Sequence, residues 1–322
     1  MWRKYAEVFV RYIISSAEGG LTVKEILLGS IGVSVSHLRH LKFIENGIML
    51  NGEKATVRRC VAIGDCLEVA VEDAHEGSRL TPTDIPLEIV YEDSAIAVPS
   101  KPADMPTHPS HDHHGDTLAD ALAYRYKDCP TPFVFRPINR LDRNTSGLTL
   151  IARNRISAAR LSKSMREGKI KKQYLAILCG IPESADGVIE TYMRRTEQSI
   201  IKREVCDADV GGDYALTRYR VIATTDRYSL VLASPETGRT HQLRVHFASI
   251  GCAILGDDMY GTPSTLIPRQ ALHAIALKLP HPTTSEELQL RAKLPEDMRA
   301  PLISIFGEDT EKLLYEYSDF LA

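Results

Sequence analysis

The dipeptide Asn51-Gly52 sits between the apolar run Ile48-Met49-Leu50 and the segment Glu53-Lys54-Ala55-Thr56. The tightest hairpin turn needs positive φ at both central positions, which Asn and Gly tolerate best, so the flanking runs are committed to antiparallel pairing. The sequence before it reads as helical. Thr22 with Glu25 makes a capping box, Val23, Ile26 and Leu27 form an apolar stripe, and Gly32 is a stop. Ser34 or Ser36 caps a second helix carrying Leu38, Leu41 and Ile44, ended by Gly47. Downstream, "CVAIGDCLEVAV" predicts a further strand pair turned at Gly64-Asp65. Two helices and two hairpins in so short a stretch make a compact unit.

At 322 residues the chain has room for more than that unit. Residues 72–86, "EDAHEGSRLTPTDIP", are polar and show no apolar period, as a linker does. Beyond them strand-like and helix-like stretches alternate. "LEIVYEDSAIAVPSKP" is strand, turn, strand; Thr117–Tyr126 is a helix with Thr117 as its cap; "LTLIAR" is a strand. "NRISAARLSKSMREG" is a helix capped by Asn154 and stopped by Gly168, "KIKKQYLAILCG" is a strand, and the tail after Gly307 is an amphipathic helix. The pattern predicts an α+β fold with a largely antiparallel mixed sheet and flanking helices. It divides the chain into 1–72, a linker at 73–86, and 87–322.

A hydrophobic content of 43% and a charged content of 25% suit a water-soluble protein, and no apolar run is long enough to span a bilayer. Charges interrupt the opening "MWRKYAEVFVRYIIS", so no signal-peptide core is read there and a cytoplasmic location is expected. Six scattered cysteines without a Cys-x-x-Cys pair predict free thiols. The net charge of −3 means that any nucleic-acid surface must be a local patch. One candidate patch is Arg39, Lys42, Lys54, Arg58 and Arg59, a charge set that taken alone is more often a solvated face than an RNA contact.

Three stretches carry possible chemistry. "RPINRLDRNTSG" (136–147) places Asp142 between Arg140 and Arg143, within residues that all favour turns. "ETGRTHQLRVHFASIG" (236–251) predicts a helix capped by Thr240, with Leu243, Phe247 and Ile250 as its stripe and Gly251 as its stop. Arg244 leaves that stripe, and an arginine at a buried face usually seeks a carboxylate or phosphate. In "KIKKQYLA", alternation puts Lys172, Tyr174 and Ala176 on one face; Tyr174 is either a core aromatic or a platform for a base. The loop "THPSHDHHGD" and the acidic "GDDMYG" (256–261) are weak metal-site patterns.

In this order the stretches resemble the RNA pseudouridine synthases, in the branch of the ribosomal large-subunit uridine synthases C and D. "RLDRNTSGL", "KKQYLA", "TGRTHQLRVHFASIGCAILGDDMYG" and "RQALHAIALKLPHP" match successive family motifs, and "SKPADMPTHP" matches the first one loosely. The match covers roughly residues 85–300. Residues 20–72 resemble the S-four-type RNA-binding domain, which grips structured RNA through phosphate contacts. The resemblance implies an isomerase that works on RNA without cofactor or metal, expected to be monomeric. Asp142 would be the nucleophile. Tyr174 would stack on the uracil, and Arg244 would pair with the Asp142 carboxylate. Leu243 would pack against the base, and Arg140 would fill the gap left by the flipped nucleotide.

The chemistry agrees with these roles. The uridine must leave its stack at a cost of a few kcal/mol, and the detached base needs a closed pocket with an aromatic floor. A carboxylate can add to the uracil ring or to the anomeric carbon, and a guanidinium beside it keeps it charged in a desolvated site. Two positions depart from the family pattern: Asn139 replaces a histidine, and Asp104 a glycine. A competing reading is a non-catalytic RNA-binding or ribosome-assembly protein with the same fold. A nucleoside or glycoside hydrolase is weaker, since it would want a second carboxylate as proton donor.

Overall fold

The computed structural model describes residues 9–33, 35–43, 46–70, 80–110, 112–129 and 133–310. In the N-terminal part, β1 (Phe9–Ile13), α1 (Val23–Leu28), α2 (Val35–Leu41), β2 (Ile48–Leu50), β3 (Glu53–Lys54) and β4 (Cys66–Ala70) build a four-stranded sheet in the order β1-β4-β2-β3. Thr22 and Glu25 close the capping box at the head of α1, an arrangement worth about 1 kcal/mol. Asn51 and Gly52 take φ values of 53° and 80°, and β2 pairs with β3 across them. Val23, Ile26, Leu27, Leu41, Leu50, Leu67 and Val69 are buried under the two helices.

The second strand pair differs from expectation. Gly64-Asp65 does turn, but residues 61–65 form no strand, and β4 pairs instead with β1 and β2. Asp65 explains this. Its carboxylate accepts from the Ala62 N–H at 2.7 Å and from Asn51 Nδ2 at 2.8 Å, which curls the segment against the hairpin. The helix of Thr22 stops at Gly29 rather than Gly32. Ser34, Ile44 and the tail from 311 onward lie outside the described residues.

The rest of the chain forms one large sheet. Its elements are β5 (Glu88–Glu92), β6 (Ile96–Lys101), α3 (Leu118–Arg125), β7 (Arg136–Pro137), β8 (Ser146–Leu148), β9 (Ile151–Ala152), α4 (Arg155–Arg166), β10 (Lys171–Cys179), β11 (Asp186–Arg195), β12 (Arg203–Cys206), β13 (Asp213–Thr224), β14 (Tyr228–Pro235), α5 (Gln242–Ser249), β15 (Leu272–Pro280), β16 (Glu287–Arg291) and α6 (Glu296–Phe306). The strand order is β12-β11-β13-β14-β10-β15-β8-β6-β9-β7, with β16 on β15 and β5 on β6. Only β8 and β15 run parallel, so the sheet is the largely antiparallel mixed sheet of an α+β fold. The expected strand "LTLIAR" is split into β8 and β9. The Asn139 side chain accepts from the Leu150 N–H at 2.7 Å in the gap between them.

The core under β10, β14 and β15 is continuous with Phe247 and Leu243 of α5 and with Met298 and Leu302 of α6. Burial of Phe247 alone contributes about 2–3 kcal/mol. This packing clamps α5 against the centre of the sheet. The N-terminal unit leans on α4, where Ile156 joins its apolar cluster and Arg160 Nε donates to the Ile31 carbonyl at 3.1 Å. Among the described residues no helix is long and apolar enough to cross a membrane.

Candidate active site

Asp142 lies on the loop between β7 and β8. Leu141 is buried before it and Thr145 after it, while the Asp142 side chain stays 28% exposed. Thr145 N–H donates to the Asp142 carbonyl at 3.0 Å, so the stretch is the turn its composition suggests. The neighbouring carbonyls are tied as well. Thr107 Oγ1 donates to Leu141 O at 2.9 Å, Lys101 Nζ to Arg143 O at 3.0 Å, and Arg269 Nη1 to Asn144 O at 3.1 Å. Four successive carbonyls therefore have fixed partners, which holds the loop that presents the Asp142 carboxylate.

Lys101, at the end of β6, is 1% exposed and also donates to the carbonyls of Pro102 and Met105, both at 2.8 Å. Burial pushes its ammonium down to about 7, against the pull of the Asp142 charge. Gly147 lets β8 approach β15: its φ is +111°, and a Cβ there would stand 2.3 Å from the Ala274 carbonyl oxygen. Asp104, the second departure, takes a left-handed φ of 59°, and its carboxylate meets Arg143 Nε at 2.8 Å.

Tyr174 on β10 is 7% exposed and shares one apolar cluster with Leu141 and Leu243. Burial, and then the Asp142 charge, raise its phenol above the ordinary range. Arg244 of α5 has its side chain 6% exposed, and its Nη1 lies 3.8 Å from Asp142 Oδ2. That contact is looser than the expected pairing. The tight partner is Asp257, fully buried, which takes Arg244 Nε at 2.7 Å and Nη2 at 2.8 Å. Burial alone would raise the Asp257 carboxyl, but the Arg244 hydrogen bonds and charge hold it below its ordinary value. Arg244 is thus locked by a buried fork–fork pair, and the "GDDMYG" acid is its anchor.

The cap of α5 also differs from expectation. It is His241, in the left-handed region at φ 58°, and not Thr240. The Gln242 side chain causes this by accepting from the Arg239 N–H at 3.0 Å and from Thr237 Oγ1 at 2.7 Å, which folds 237–240 back onto the helix start. His241 Nε2 thereby reaches within 4.0 Å of Asp142 Oδ2, and its Nδ1 lies 2.9 Å from Tyr260 Oη. Burial holds this imidazole below its ordinary value, against the pull of the Asp142 charge.

Arg140 is exposed at the loop's edge and makes no hydrogen bond or ion pair to a described residue. Arg39, Lys42, Lys54, Arg58 and Arg59 are exposed on the N-terminal unit, and among the described residues only Arg59 of these has an ion pair, 3.6 Å from Glu53. Among the described residues no three metal-capable side chains gather; His113 instead pairs with Asp116 at 2.6 Å. Sequence reasoning missed Lys101, His241, Asp257 and Arg269 as parts of the site. Their signal was weak, since each is an ordinary polar residue whose partner lies elsewhere in the chain.

A partly exposed aspartate, a buried aromatic and a locked arginine thus come together beside the central strands of a large mixed sheet. The RNA pseudouridylate synthase family model matches residues 95–249. The RNA pseudouridine synthase YjbO of Bacillus subtilis is 34% identical over 278 residues, which cover 86% of this chain and 97% of its own. The ribosomal large subunit pseudouridine synthase D of Zymomonas mobilis is 35% identical over 291 residues, covering 84% and 90%. The solved structure of human RNA Pseudouridylate Synthase Domain Containing 1 superposes with a TM-score of 0.53 at 30% identity, covering 65% of this chain and 84% of that one. This chain belongs to the RNA pseudouridine synthase family and is an isomerase that acts on RNA.

Proposed function

We propose that the chain converts specific uridines of ribosomal RNA to pseudouridine, with Asp142 as the nucleophile. The carrying observation is the Asp142 carboxylate, partly exposed and 3.8 Å from a buried, locked Arg244 guanidinium. The relatives named as ribosomal large subunit synthases support the choice of RNA. In this reading the target uridine leaves its stack and Arg140 takes the vacated space, recovering part of the few kcal/mol lost. The uracil lies on Tyr174, with Leu243 and Leu141 closing the apolar side. Asp142 forms a transient covalent bond as the N1–C1′ bond breaks, and the base turns. A C5–C1′ bond then forms, C5 gives up its proton, N1 gains one, and the carboxylate is released. Arg244 keeps Asp142 ionised and aimed.

Residues 1–72 serve as an RNA-gripping unit joined by 73–86 to the catalytic part, 87–322. Arg39, Lys42, Lys54, Arg58 and Arg59 contact phosphates, and the enzyme works as a cytoplasmic monomer. RNA labelled with tritium at uridine C5 tests the chemistry, because isomerisation releases that tritium. Wild type is expected to release it and Asp142→Ala to release none. Release that persists in Asp142→Ala sinks the nucleophile assignment, and none from wild type on any cellular RNA favours a binding protein. Pseudouridine mapping with and without the gene identifies the RNA.

A further inference from the structure

β11 and β12 form the outer end of the large sheet, and their register puts Arg195 directly opposite Arg203. Like charges facing each other across an antiparallel pair destabilise it. The adjacent pair shows the usual remedy, with Arg194 Nε 2.8 Å from Glu204. Arg195 and Arg203 have no such remedy: neither side chain makes a hydrogen bond or ion pair to a described residue, and Arg203 Nη1 is buried without any partner. A buried guanidinium nitrogen left unsatisfied carries a large desolvation cost unless a ligand completes it.

These two arginines line a cavity of about 390 Å³ together with Arg194, Arg239 and Thr240. The one carboxylate in its wall, Asp213, lies 3.7 Å from Arg239 Nη1 and is mostly exposed. The cavity therefore keeps a strong positive excess. It also adjoins the reaction centre. Thr240 precedes His241, which faces Asp142, and the Arg203 N–H donates to Tyr260 Oη at 2.8 Å, the hydroxyl that contacts His241. Near Gly238 of its wall, the Lys172 ammonium lies 4.0 Å from where a Cβ on that glycine would stand.

We propose that Arg195, Arg203 and Arg239 form a pocket for an RNA backbone phosphate near the target nucleotide. This rests on the reading of Asp142 as the reaction centre. A phosphate oxygen between Arg195 and Arg203 relieves their repulsion, satisfies Arg203 Nη1 and fixes the strand beside the flipped base. Its neighbour β12 then acts as a register device: RNA that does not seat a phosphate here leaves the like-charge pair unrelieved.

The test uses the full chain with two fluorescent oligouridylates, one with a phosphodiester backbone and one with uncharged methylphosphonate linkages. Arg195→Gln and Arg203→Gln are each expected to weaken binding of the charged oligomer about tenfold, as for loss of a charged hydrogen bond. The slope of log affinity against log salt should fall by about 0.7. Binding of the uncharged oligomer should stay the same for wild type and variants. Without RNA, Arg195→Gln should melt no lower than wild type, since a repulsion is removed. Equal binding of the charged oligomer by wild type and Arg203→Gln overturns the pocket, as does an equal loss on both oligomers. Stabilisation of the wild type by inorganic phosphate with no effect of either variant on oligomer binding marks a free-anion site and overturns it too. Tritium release from Asp142→Ala is measured alongside. Its persistence refutes the reaction-centre reading, whereas its loss together with unchanged oligomer binding refutes the pocket alone.

Discussion

Asp257→Asn alters the charge at the heart of the site and hardly its shape. The carboxylate takes Arg244 Nε on Oδ2 at 2.7 Å and Nη2 on Oδ1 at 2.8 Å, and Oδ1 also accepts the N–H groups of Met259 and Tyr260 at 3.0 Å. In the amide one of these oxygens becomes an NH₂ group facing a guanidinium N–H. Removing one partner of a buried ion pair costs about 3–5 kcal/mol. Asn keeps one acceptor, and Asp142 and Asp258 still face Arg244 at 3.8 and 3.7 Å. The lower end, about 3 kcal/mol, is therefore expected. At roughly 2–4 °C per kcal/mol the melting point falls by about 6–12 °C. Arg244 also loses its lock, so tritium release under saturating RNA falls at least about tenfold, the loss expected for a displaced electrostatic group. Asp142→Asn is the contrast. Its carboxylate has only the loose pairs with Arg244 and His241, so stability should change by less than about 1 kcal/mol while release is abolished. Urea unfolding of both variants decides the matter. If Asp257→Asn unfolds within about 0.5 kcal/mol of wild type, a size usual for neutral surface changes, then Asp257 does not anchor Arg244.

Three other changes have clear signs. Gly147→Ala forces a Cβ to 2.3 Å from the Ala274 carbonyl oxygen at a φ of +111°; it should cost more than about 3 kcal/mol or yield insoluble protein. Lys101→Met leaves three carbonyl oxygens without their shared donor. It should lower stability by about 3–5 kcal/mol in urea unfolding and depress tritium release further than melting alone explains, because the Asp142 loop loosens. Burial favours the protonated form of Asp93, yet hydrogen bonds from His281, Ile96, Ala95 and Tyr91 hold its carboxyl at about 2, below the ordinary 3.8. A depressed carboxylate stabilises the fold in full above its unfolded value. Wild type should therefore lose stability as pH falls from 3.8 through about 2, and the loss should be smaller in Asp93→Asn when followed by circular dichroism.

What was legible in the sequence was what a few adjacent residues decide. Thr22 with Glu25, Asn51-Gly52, Thr117 and Asn154 each satisfy or forbid backbone groups within four positions, and each stands where its local chemistry places it. Asp142, Tyr174 and Arg244 were singled out for a different reason, because long motifs in a fixed order carry them. The failures involve partners that local chemistry does not supply. Gly64-Asp65 turned without a strand pair because Asp65 found Asn51. Thr240 lost the helix cap because Gln242 folded the loop back. Arg244 found Asp257, thirteen positions on, in a segment that reads merely as acidic. Alternation in "LTLIAR" gave no sign that Asn139 would break it.

Asn139 and Asp104, the two departures read from the sequence, both hold hydrogen-bonded places near Asp142. Asn139 lies on the same loop as Asp142 and Asp104 makes contact with it, and both keep a hydrogen-bonding side chain directed at that loop or at its neighbours. Asn139 takes the Leu150 N–H and lies 3.5 Å from the Leu148 carbonyl, so it still supports the break between β8 and β9 that ends the Asp142 turn. Asp104 bears a left-handed φ that favours glycine, at a cost of about 1–2 kcal/mol. Its carboxylate meets Arg143, whose carbonyl accepts from Lys101. The exposed Asp104–Arg143 pair returns less than about 1 kcal/mol of that cost. Its contribution is therefore geometric: it tethers from outside the residue that Lys101 holds from within. The loop that carries Asp142 is fixed at several independent points, so a substitution at either departure site loosens one tether and leaves the others in place.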